Sequence, residues 1–439
     1  MTYSLVCGAE IHVELRTQSK MFCGCKNDPF GAPNPNIYTC PVCLGMPGAL
    51  PVPNKKAIED CILIGLALNC QISEVSKFDR KHYFYPDLGK GYQISQYDEP
   101  FCVGGYVDTS FGRVGITRVH MEEDTAKLHH ETVNGEKVSL IDFNRSSVPL
   151  VEIVSDPDIK SAEQAKEFLK KVRDIVRALG VSDCDMDKGS MRLEANISLA
   201  PVGADPSVRP PLPPYKVEVK NINSFRYFAN SIEYEMKRQE ELLLKGSTPK
   251  QETRGYRQDG NRTESQRGKE GAADYRYFPE PDIPPFRISR EMVQDIAQRL
   301  PQLPEAIIAE LIGYSIPEST ARVLTGDNAA LAYIREINKL DPKLSPKVAG
   351  AIANKKIDIT KLLPSDYVKE ESTKAADKIT DVAELTKLVE SVVTANAQSI
   401  TDYQAGKQNA LGFLMGQIMK TSGGKADTTI AKDILTKLI

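Results

Sequence analysis

No apolar run in the sequence approaches the ~20 residues that cross a bilayer as a helix. The opening MTYSLVCGAEIHVEL reads as a strand and lacks the basic region and small-residue cleavage site of a secretory signal, which predicts a cytoplasmic protein. Charge of one sign is also missing. With 56 Lys and Arg against 59 Asp and Glu, net −3, the chain cannot hold nucleic acid by bulk positive potential, so any such contact must be a local patch. Neither G-x-x-x-x-G-K-[ST] nor G-x-G-x-x-G opens a helix, so a nucleotide site of the helix N-terminus type is excluded. No repeat of fixed period is present. A hydrophobic fraction of 41% with 26% charged residues excludes a largely disordered chain, and 439 residues suggest two or three domains.

What is present is unevenly spread. Eight of the nine cysteines and all five histidines precede residue 131, so the metal-capable side chains concentrate in the first third. Cys23-Gly24-Cys25 and Cys40-Pro41-Val42-Cys43 form C-x-C and C-x-x-C pairs separated by 14 residues. Without a secretory signal such thiols favour metal over disulfides, and four thiolates at this spacing can close a structural zinc site over the apolar-poor loop between them, leaving no open position for catalysis. Free thiols and a redox pair are the alternatives.

Up to about residue 288, short alternating runs are broken by Gly, Pro, Asn and Asp, the pattern of strands and loops. Helices are predicted at Lys55 to Leu68, at Ser161 to about Leu179 with Ser161 as cap and Gly180 as stop, and at Ser224 to Leu244. The prolines of residues 200–215 demand a loop or an extended excursion. After Ser289 the apolar spacing becomes helical, as in Val382, Leu385, Val389 and Val392, with a joint near Thr401 and Gly423-Gly424 dividing the last two helices.

Several strands carry a polar face. Strict alternation puts Glu10, His12 and Glu14 on one side of the first strand. Val119 to Asp124 is dense in carboxylates, with Glu122 sharing the face of His120 and Asp124. Glu152 is a lone acid in the apolar run Leu150–Val154 and would need a partner if that strand is buried on both faces. Glu194, Asn196 and Ser198, then Lys216, Glu218 and Lys220, extend the pattern. Each strand alone could simply wet one face. Together in one sheet they would form a floor suited to Mg²⁺ and the phosphates it bridges. Three loops could serve phosphate or RNA: Arg80 to Gln93, which interleaves aromatics with Lys81 and Lys90; Asp187 to Arg192, with Ser190 and Arg192; and the segment Thr253 to Arg276, which sets Arg267 and Lys269 amid acids. Each is alternatively a turn or a solvated loop.

The motifs AEIHVEL, SKMFCGC, CPVCLGMPGALPV, FDRKHYFYPDL with KGYQISQ, HMEED, VPLVEIVSDPDI, DKGSMRLEANIS, VEVKNINSF, QETR, DYRYFPEPD and YQAGKQNALGFLMGQIMK resemble, in order and over essentially the whole chain, the B subunit family of the glutamyl/aspartyl-tRNA amidotransferases. The resemblance implies an α+β protein: a glutamine-synthetase-like antiparallel cradle at 1–288, holding a zinc loop at 23–43, a helical domain at 289–400 and a tRNA-binding tail at 401–439. It implies phosphorylation, with ATP and Mg²⁺, of the side-chain carboxylate of misacylated Glu-tRNA(Gln) or Asp-tRNA(Asn), followed by amidation with ammonia made from glutamine by the A subunit of a heterotrimer that also holds a C subunit. The implied catalytic and Mg²⁺-binding set is Glu10, His12, Glu123 and Glu152, with Glu122 kept beside Glu123. Lys90, Ser190, Arg192, Asn196 and Lys220 are implied for nucleotide and phosphate, and Cys23, Cys25, Cys40 and Cys43 for zinc. The Gly/Ser-rich signature and Ser-Ser-Lys constellation of the partner amidase are missing. Two departures stand out: Gly89 where the family more often has proline, and GKADTT near the end where it often has GKANP.

Overall fold

A computed structural model describes residues 3–202, 212–268, 275–404, 407 and 409–439. The prolines within 203–211, Lys269 and the side chain of Arg267 lie outside the described residues. The chain divides into two compact units, Met1–Pro304 and Glu305–Ile439.

The first unit is built on a nine-stranded sheet. Its strands are β1 (Tyr3–Glu14), β2 (Gln71–Ile72), β3 (Cys102–Thr109), β4 (Gly112–Glu123), β5 (Pro149–Ser155), β6 (Met191–Pro201), β7 (Val217–Ile222), β8 (Glu252–Arg257) and β9 (Arg262–Gly268). They run in the order β9-β8-β7-β6-β1-β5-β4-β3-β2. The sheet is mixed, which corrects the expected all-antiparallel arrangement. Every neighbouring pair is antiparallel except β7 and β8. The reason is the connection between those two: a 20-residue helix, α3 below, returns the chain to the same end of the sheet, which only a parallel strand can follow.

Alternation sorts the sheet into two chemistries. Ile11, Val13, Val119, Met121, Val151, Ile153, Leu193 and Val219 point to one face and join a single apolar core with helices α1 (Lys55–Ala67), α2 (Ala162–Ala178) and α3 (Phe225–Leu244). These helices fall where the sequence predicts them, and their starts are set by side-chain caps. Asn54 accepts from the Ala57 amide, Ser161 from Gln164 and Ser224 from Tyr227. Helix α4 (Arg290–Ala297) is capped by Ser289 and adds Ile296 to the same core. A small three-stranded sheet of Phe278–Pro279, Asp79–His82 and Tyr92–Ser95 completes the surroundings of the site.

The second unit is helical and holds two separate apolar clusters. One gathers Ile307, Leu311, Leu324, Leu331, Ile334 and Val348. The other joins Leu385, Val389 and Val392 of helix Val382–Ala395 to Leu414 and Ile418 of Asn409–Thr421 and Leu435 of Thr428–Leu438. Thr401, the expected joint, lies inside helix Ala397–Gln404. Gly423 and Gly424 take φ of 62° and 82° between the last two helices, a left-handed turn that side chains with a Cβ resist. No helix among the described residues is long and apolar enough to cross a membrane.

Candidate active site and metal centre

The polar face of the sheet is aligned by its register. His12 stands directly opposite Glu152 on one side and Arg192 on the other, and Glu152 stands opposite His120, so four ionisable side chains form a row across β4, β5, β1 and β6. Burial in the middle of the sheet leaves Glu152 7% exposed, and the sequence requirement that it find a partner is met by imidazoles. His120 Nε2 lies 3.1 Å from Glu152 Oε2, and His12 Nε2 lies 3.8 Å from it. Burial alone would push the Glu152 carboxyl up; His120 and His12 outweigh it and hold the group at about 2, an anion at any working pH. His120 responds in kind. Burial opposes its charge, but Glu152 and Glu122 raise its affinity for a proton above the ordinary imidazole value.

Glu122 lies two residues beyond His120 along the same face of β4. Its carboxylate accepts from Ser95 Oγ at 2.8 Å, from Gln93 Nε2 at 3.0 Å and from Lys81 Nζ at 3.5 Å, all three reaching in from the small sheet. His120 Nε2 stands 3.6 Å away and His12 Nε2 4.0 Å. Burial again raises the group, and Lys81 and His120 overcome it, holding Glu122 well below the usual carboxylate range. His12, Glu122 and Glu152 offer one atom each within 4.8 Å of one another, a set that could hold a cation. His12 Nδ1 is buried without a hydrogen-bond partner among the described residues. His12 Nε2 is the nitrogen that faces the two carboxylates, and an imidazole nitrogen with two carboxylates is a donor set that fits a hard divalent cation and its waters.

Glu123 is placed elsewhere. The pleat turns it to the opposite face, where it accepts from the Ile94 amide at 2.9 Å and from Lys90 Nζ. Of the two glutamates kept open by the sequence, Glu122 is the one beside His12 and Glu152. Lys90 is spent on Glu123, and its ammonium also approaches the Phe22 and Tyr92 rings. Ser190 is likewise used locally: its hydroxyl accepts from the Asp185 amide at 2.8 Å and donates to the Asp185 carbonyl at 3.2 Å, closing the turn before β6. The structure therefore does not bring Glu123, Lys90 or Ser190 to the row.

Two wings flank the row. On one, Glu10, Glu194 and Glu218 present oxygens within 4.8 Å of one another. Lys220 Nζ lies 2.9 Å from Glu194 and 3.4 Å from Glu218, and Asn196 Nδ2 donates to Glu10 at 2.7 Å. Burial, then Glu152 and Glu194, raise the Glu10 carboxyl. On the other, Arg192 NH1 lies 2.7 Å from Asp124 and 3.4 Å from Glu14. Burial and the Asp124 charge push Glu14 up to about 9, so it holds a proton. The site thus alternates held anions and held cations along one sheet face, which is suited to receiving a phosphate chain with its cation.

The cysteines form a separate centre. Cys23, Cys25, Cys40 and Cys43 bring their sulfurs within 4.8 Å of one another, and Cys40 Sγ and Cys43 Sγ are 3.8 Å apart. Sulfurs ~2.3 Å from a tetrahedral zinc stand about 3.8 Å from each other, so the geometry matches. The Cys43 thiol is held down to about 5, first by Cys23 and, against burial, by Lys20. Lys20 is wholly buried and donates to the Tyr38 and Phe143 carbonyls at 2.7 Å and 3.1 Å. The quartet is compatible with zinc.

His120, Lys81, Gln93 and Ser95 belong to the cluster; the sequence places His120 in the acidic run and Lys81 and Gln93 in a segment suited to phosphate or RNA, assigns none of them to this centre, and does not mark Ser95. His120 carries a usable signal, because it shares Glu122's face in an alternating strand. The other three sit on a hairpin 27 to 41 residues from Glu122 in sequence, whose docking no local pattern reveals.

Helices on one face of a broad sheet and a cation-competent floor on the other define an α+β protein whose chemistry is built on strands, joined to a helical unit. Residues 5–294 match the GatB/GatE catalytic domain and residues 340–439 the GatB domain, and the chain belongs to this family. Curated relatives agree over full length. The chain is 42% identical to the B subunit of the aspartyl/glutamyl-tRNA(Asn/Gln) amidotransferase of Dehalococcoides mccartyi strain CBDB1, covering 100% of this chain and 99% of that one. It is 42% identical to the protein of the same name from Caldicellulosiruptor saccharolyticus, covering 99% and 98%, and 41% identical to that from Thermoanaerobacter sp. strain X514, covering 99% of each.

Proposed function

We propose that this chain is the B subunit of a tRNA-dependent amidotransferase, a carbon–nitrogen ligase that uses glutamine as amide donor and acts in the cytoplasm. In this reading it binds misacylated Glu-tRNA(Gln) or Asp-tRNA(Asn), transfers the terminal phosphate of ATP to the side-chain carboxylate, and presents the acyl phosphate to ammonia released by an A subunit in a complex that includes a C subunit. The observation that carries it is the row His120–Glu152–His12–Arg192 with Glu122 beside it: two buried carboxylates kept ionised by imidazoles and Lys81 on an otherwise open polar face.

ATP would supply the phosphoryl group, and Mg²⁺ would neutralise charge on the phosphates. His12, Glu122 and Glu152 would hold the cation, with Glu10 adjoining. Arg192, Lys220 and Asn196 would orient the phosphates and the substrate carboxylate, bringing two anions together that repel in water. Glu123 and Lys90 would act from behind the sheet by fixing the hairpin that carries Gln93 and Ser95 to Glu122. The first 288 residues would form the catalytic cradle, residues 289–400 a helical domain and 401–439 the tail that meets tRNA; the cysteine quartet would hold structural zinc.

The test is release of radiolabelled γ-phosphate from ATP by this chain reconstituted with A and C subunits, without an ammonia donor. Release only with a misacylated tRNA, lost in Glu152→Gln while tRNA binding survives, is the expected result. Release indifferent to tRNA would make the protein a ligase of small carboxylates, and no release under any condition would leave a docking scaffold.

A further inference from the structure

Beside the floor stands a group of aromatic side chains that the phosphoryl-transfer reading does not use. Tyr97 and Tyr277 are stacked with ring centroids 4.2 Å apart and planes 12° from parallel. Tyr275 meets Tyr277 edge-on at 6.0 Å, and Tyr83 meets Tyr275 at 6.3 Å. The group is tied to the reacting end through Lys81, whose ammonium lies over the Tyr275 ring at 5.3 Å while reaching Glu122 at 3.5 Å. The inner tyrosine feels the same charges. Burial pushes the Tyr277 phenol up to about 12, with Lys81 opposing and Glu122 and Glu152 adding.

Tyr97 is the odd member. It is 55% exposed although it sits on a rigid base: its backbone amide donates to Asp79 Oδ2 at 3.1 Å, and Asp79 is 1% exposed and paired with Lys77 at 2.8 Å. An exposed tyrosine with a free backbone would turn its ring to cover apolar surface. Here the ring is held flat on Tyr277, so a stack of two has been started and one aromatic face left for a third member. Stacking on tyrosine is open to any nucleobase, because every base has a π-face, and it contributes about 1–3 kcal/mol per base. Lys81, over the Tyr275 ring, suits the phosphates that accompany such a base.

We propose that Tyr97, stacked on Tyr277 beside Lys81 and Glu122, is the platform on which a purine base of the substrate lands when its charged end enters the floor. This rests on the function proposed above and adds a positioning residue to it. Two sources offer the same chemistry: the adenine of the nucleoside triphosphate and the terminal base of the tRNA. The platform acts on binding, so its loss raises KM for one substrate and leaves kcat near that of the parent.

The experiment uses the reconstituted complex and two fluorescent probes, 2-aminopurine riboside triphosphate and a tRNA ending in 2-aminopurine, whose emission falls when the base stacks. The parent should quench at least one probe. Tyr97→Ala should weaken binding of that probe by roughly 5- to 150-fold, the range its stacking free energy spans, and Tyr97→Phe, which keeps the ring, should bind as the parent does. Quenching of the triphosphate assigns the platform to the nucleotide, and quenching of the tRNA assigns it to the acceptor end. Equal quenching and affinity in parent and Tyr97→Ala, or no quenching of either probe by the parent, overturns the proposal. The exposed position of Tyr97 makes the variant safe for folding, and an unchanged melting curve checks it. The two readings fail separately: a complex that quenches a probe in a Tyr97-dependent way but never releases phosphate refutes the kinase reading alone, whereas phosphate release with no Tyr97 dependence refutes the platform alone.

Discussion

Removing the metal from the cysteine quartet should destabilise the first unit, and part of the cost should be traceable to one lysine. Lys20 is 0% exposed, and among the described residues its ammonium donates to the Tyr38 and Phe143 carbonyls. With zinc bound, four thiolates leave the centre with net negative charge beside that ammonium. Without zinc Cys25 and Cys23 take up protons, since burial raises Cys25 to about 11 and the hydrogen bond to Cys43 with burial raises Cys23 further, and Cys43, held at about 5, is left as the thiolate facing Lys20, so the lysine keeps only part of its counter-charge. Stripping one partner from a buried ion pair costs about 3–5 kcal/mol. Losing part of that charge costs less than this, and since 1 kcal/mol moves Tm by roughly 2–4 °C in a unit of this size, a chelator should lower the first transition by several degrees. Lys20→Met has no charge to leave under-compensated and should lose less on chelation. The assay pairs a zinc-binding dye, to count metal released, with thermal melts of both proteins before and after. Zinc content below about half an equivalent under reducing conditions refutes the site. Full release with Tm unchanged, or an equal drop in Lys20→Met, refutes the electrostatic account.

Three other perturbations separate roles that lie close together. Glu122→Gln should abolish tRNA-dependent phosphate release in a folded complex, whereas Glu123→Gln should destabilise by about 3 kcal/mol, because Lys90 loses its buried partner, and keep turnover per folded molecule within a few fold; the reverse outcome would reassign the two. Glu14 has its folded pKa raised to about 9, so below the ordinary carboxylate value the group is protonated folded or unfolded and stability is full, and that stability is lost as pH climbs from there toward 9. Glu14→Gln should remove that loss and, at roughly 1.4 kcal/mol per pH unit, gain about 4 kcal/mol relative to the parent between pH 5 and pH 8, read by urea titration; parallel pH profiles would contradict it. Leu414→Ala, at a wholly buried position of the last cluster, should cost about 2–5 kcal/mol and melt that cluster while hydrogen exchange in the sheet stays as it was; loss of protection in β1 and β5 would show coupling the two cores do not suggest.

Local chemistry is readable where it is written locally. The caps Asn54, Ser161 and Ser224 set helix starts within a residue of their predicted positions, and β1 shows its two faces in Glu10-Ile11-His12-Val13-Glu14 alone. The family is legible in ordered motifs, and Glu152 announces a partner by being the one acid in an apolar strand. Hidden from the sequence are the contacts that cross it. Ser95 and Gln93 reach Glu122 from 27 and 29 residues away, and Tyr97 meets Tyr277 across 180, separations at which no periodicity survives. The parallel β7–β8 pair escapes sequence reasoning for the same reason, since direction is decided by the helix between them rather than by either strand.

The adjacent glutamates show how far pleat reasoning goes and what must be added to it. Alternation assigns Glu122 to the face of His120 from the sequence alone, and the register agrees with that geometry by setting Glu122 opposite Leu150 and His120 opposite Glu152. A bulge near the strand end would still exchange the two, and one such irregularity lies between Val154 and Ser155 at the far end of the same ladder. What prevents the exchange here is that each carboxylate is claimed from its own side: Ser95, Gln93 and Lys81 hold Glu122, while Lys90 and the Ile94 amide hold Glu123. The claimants alternate along Gln93-Ile94-Ser95 as the acids do along Glu122-Glu123, so slipping either strand by one residue would bury both carboxylates against the wrong partners, at the cost of two uncompensated charges. One hairpin thereby fixes which glutamate faces the floor, and its loss should blur that choice before it unfolds the sheet.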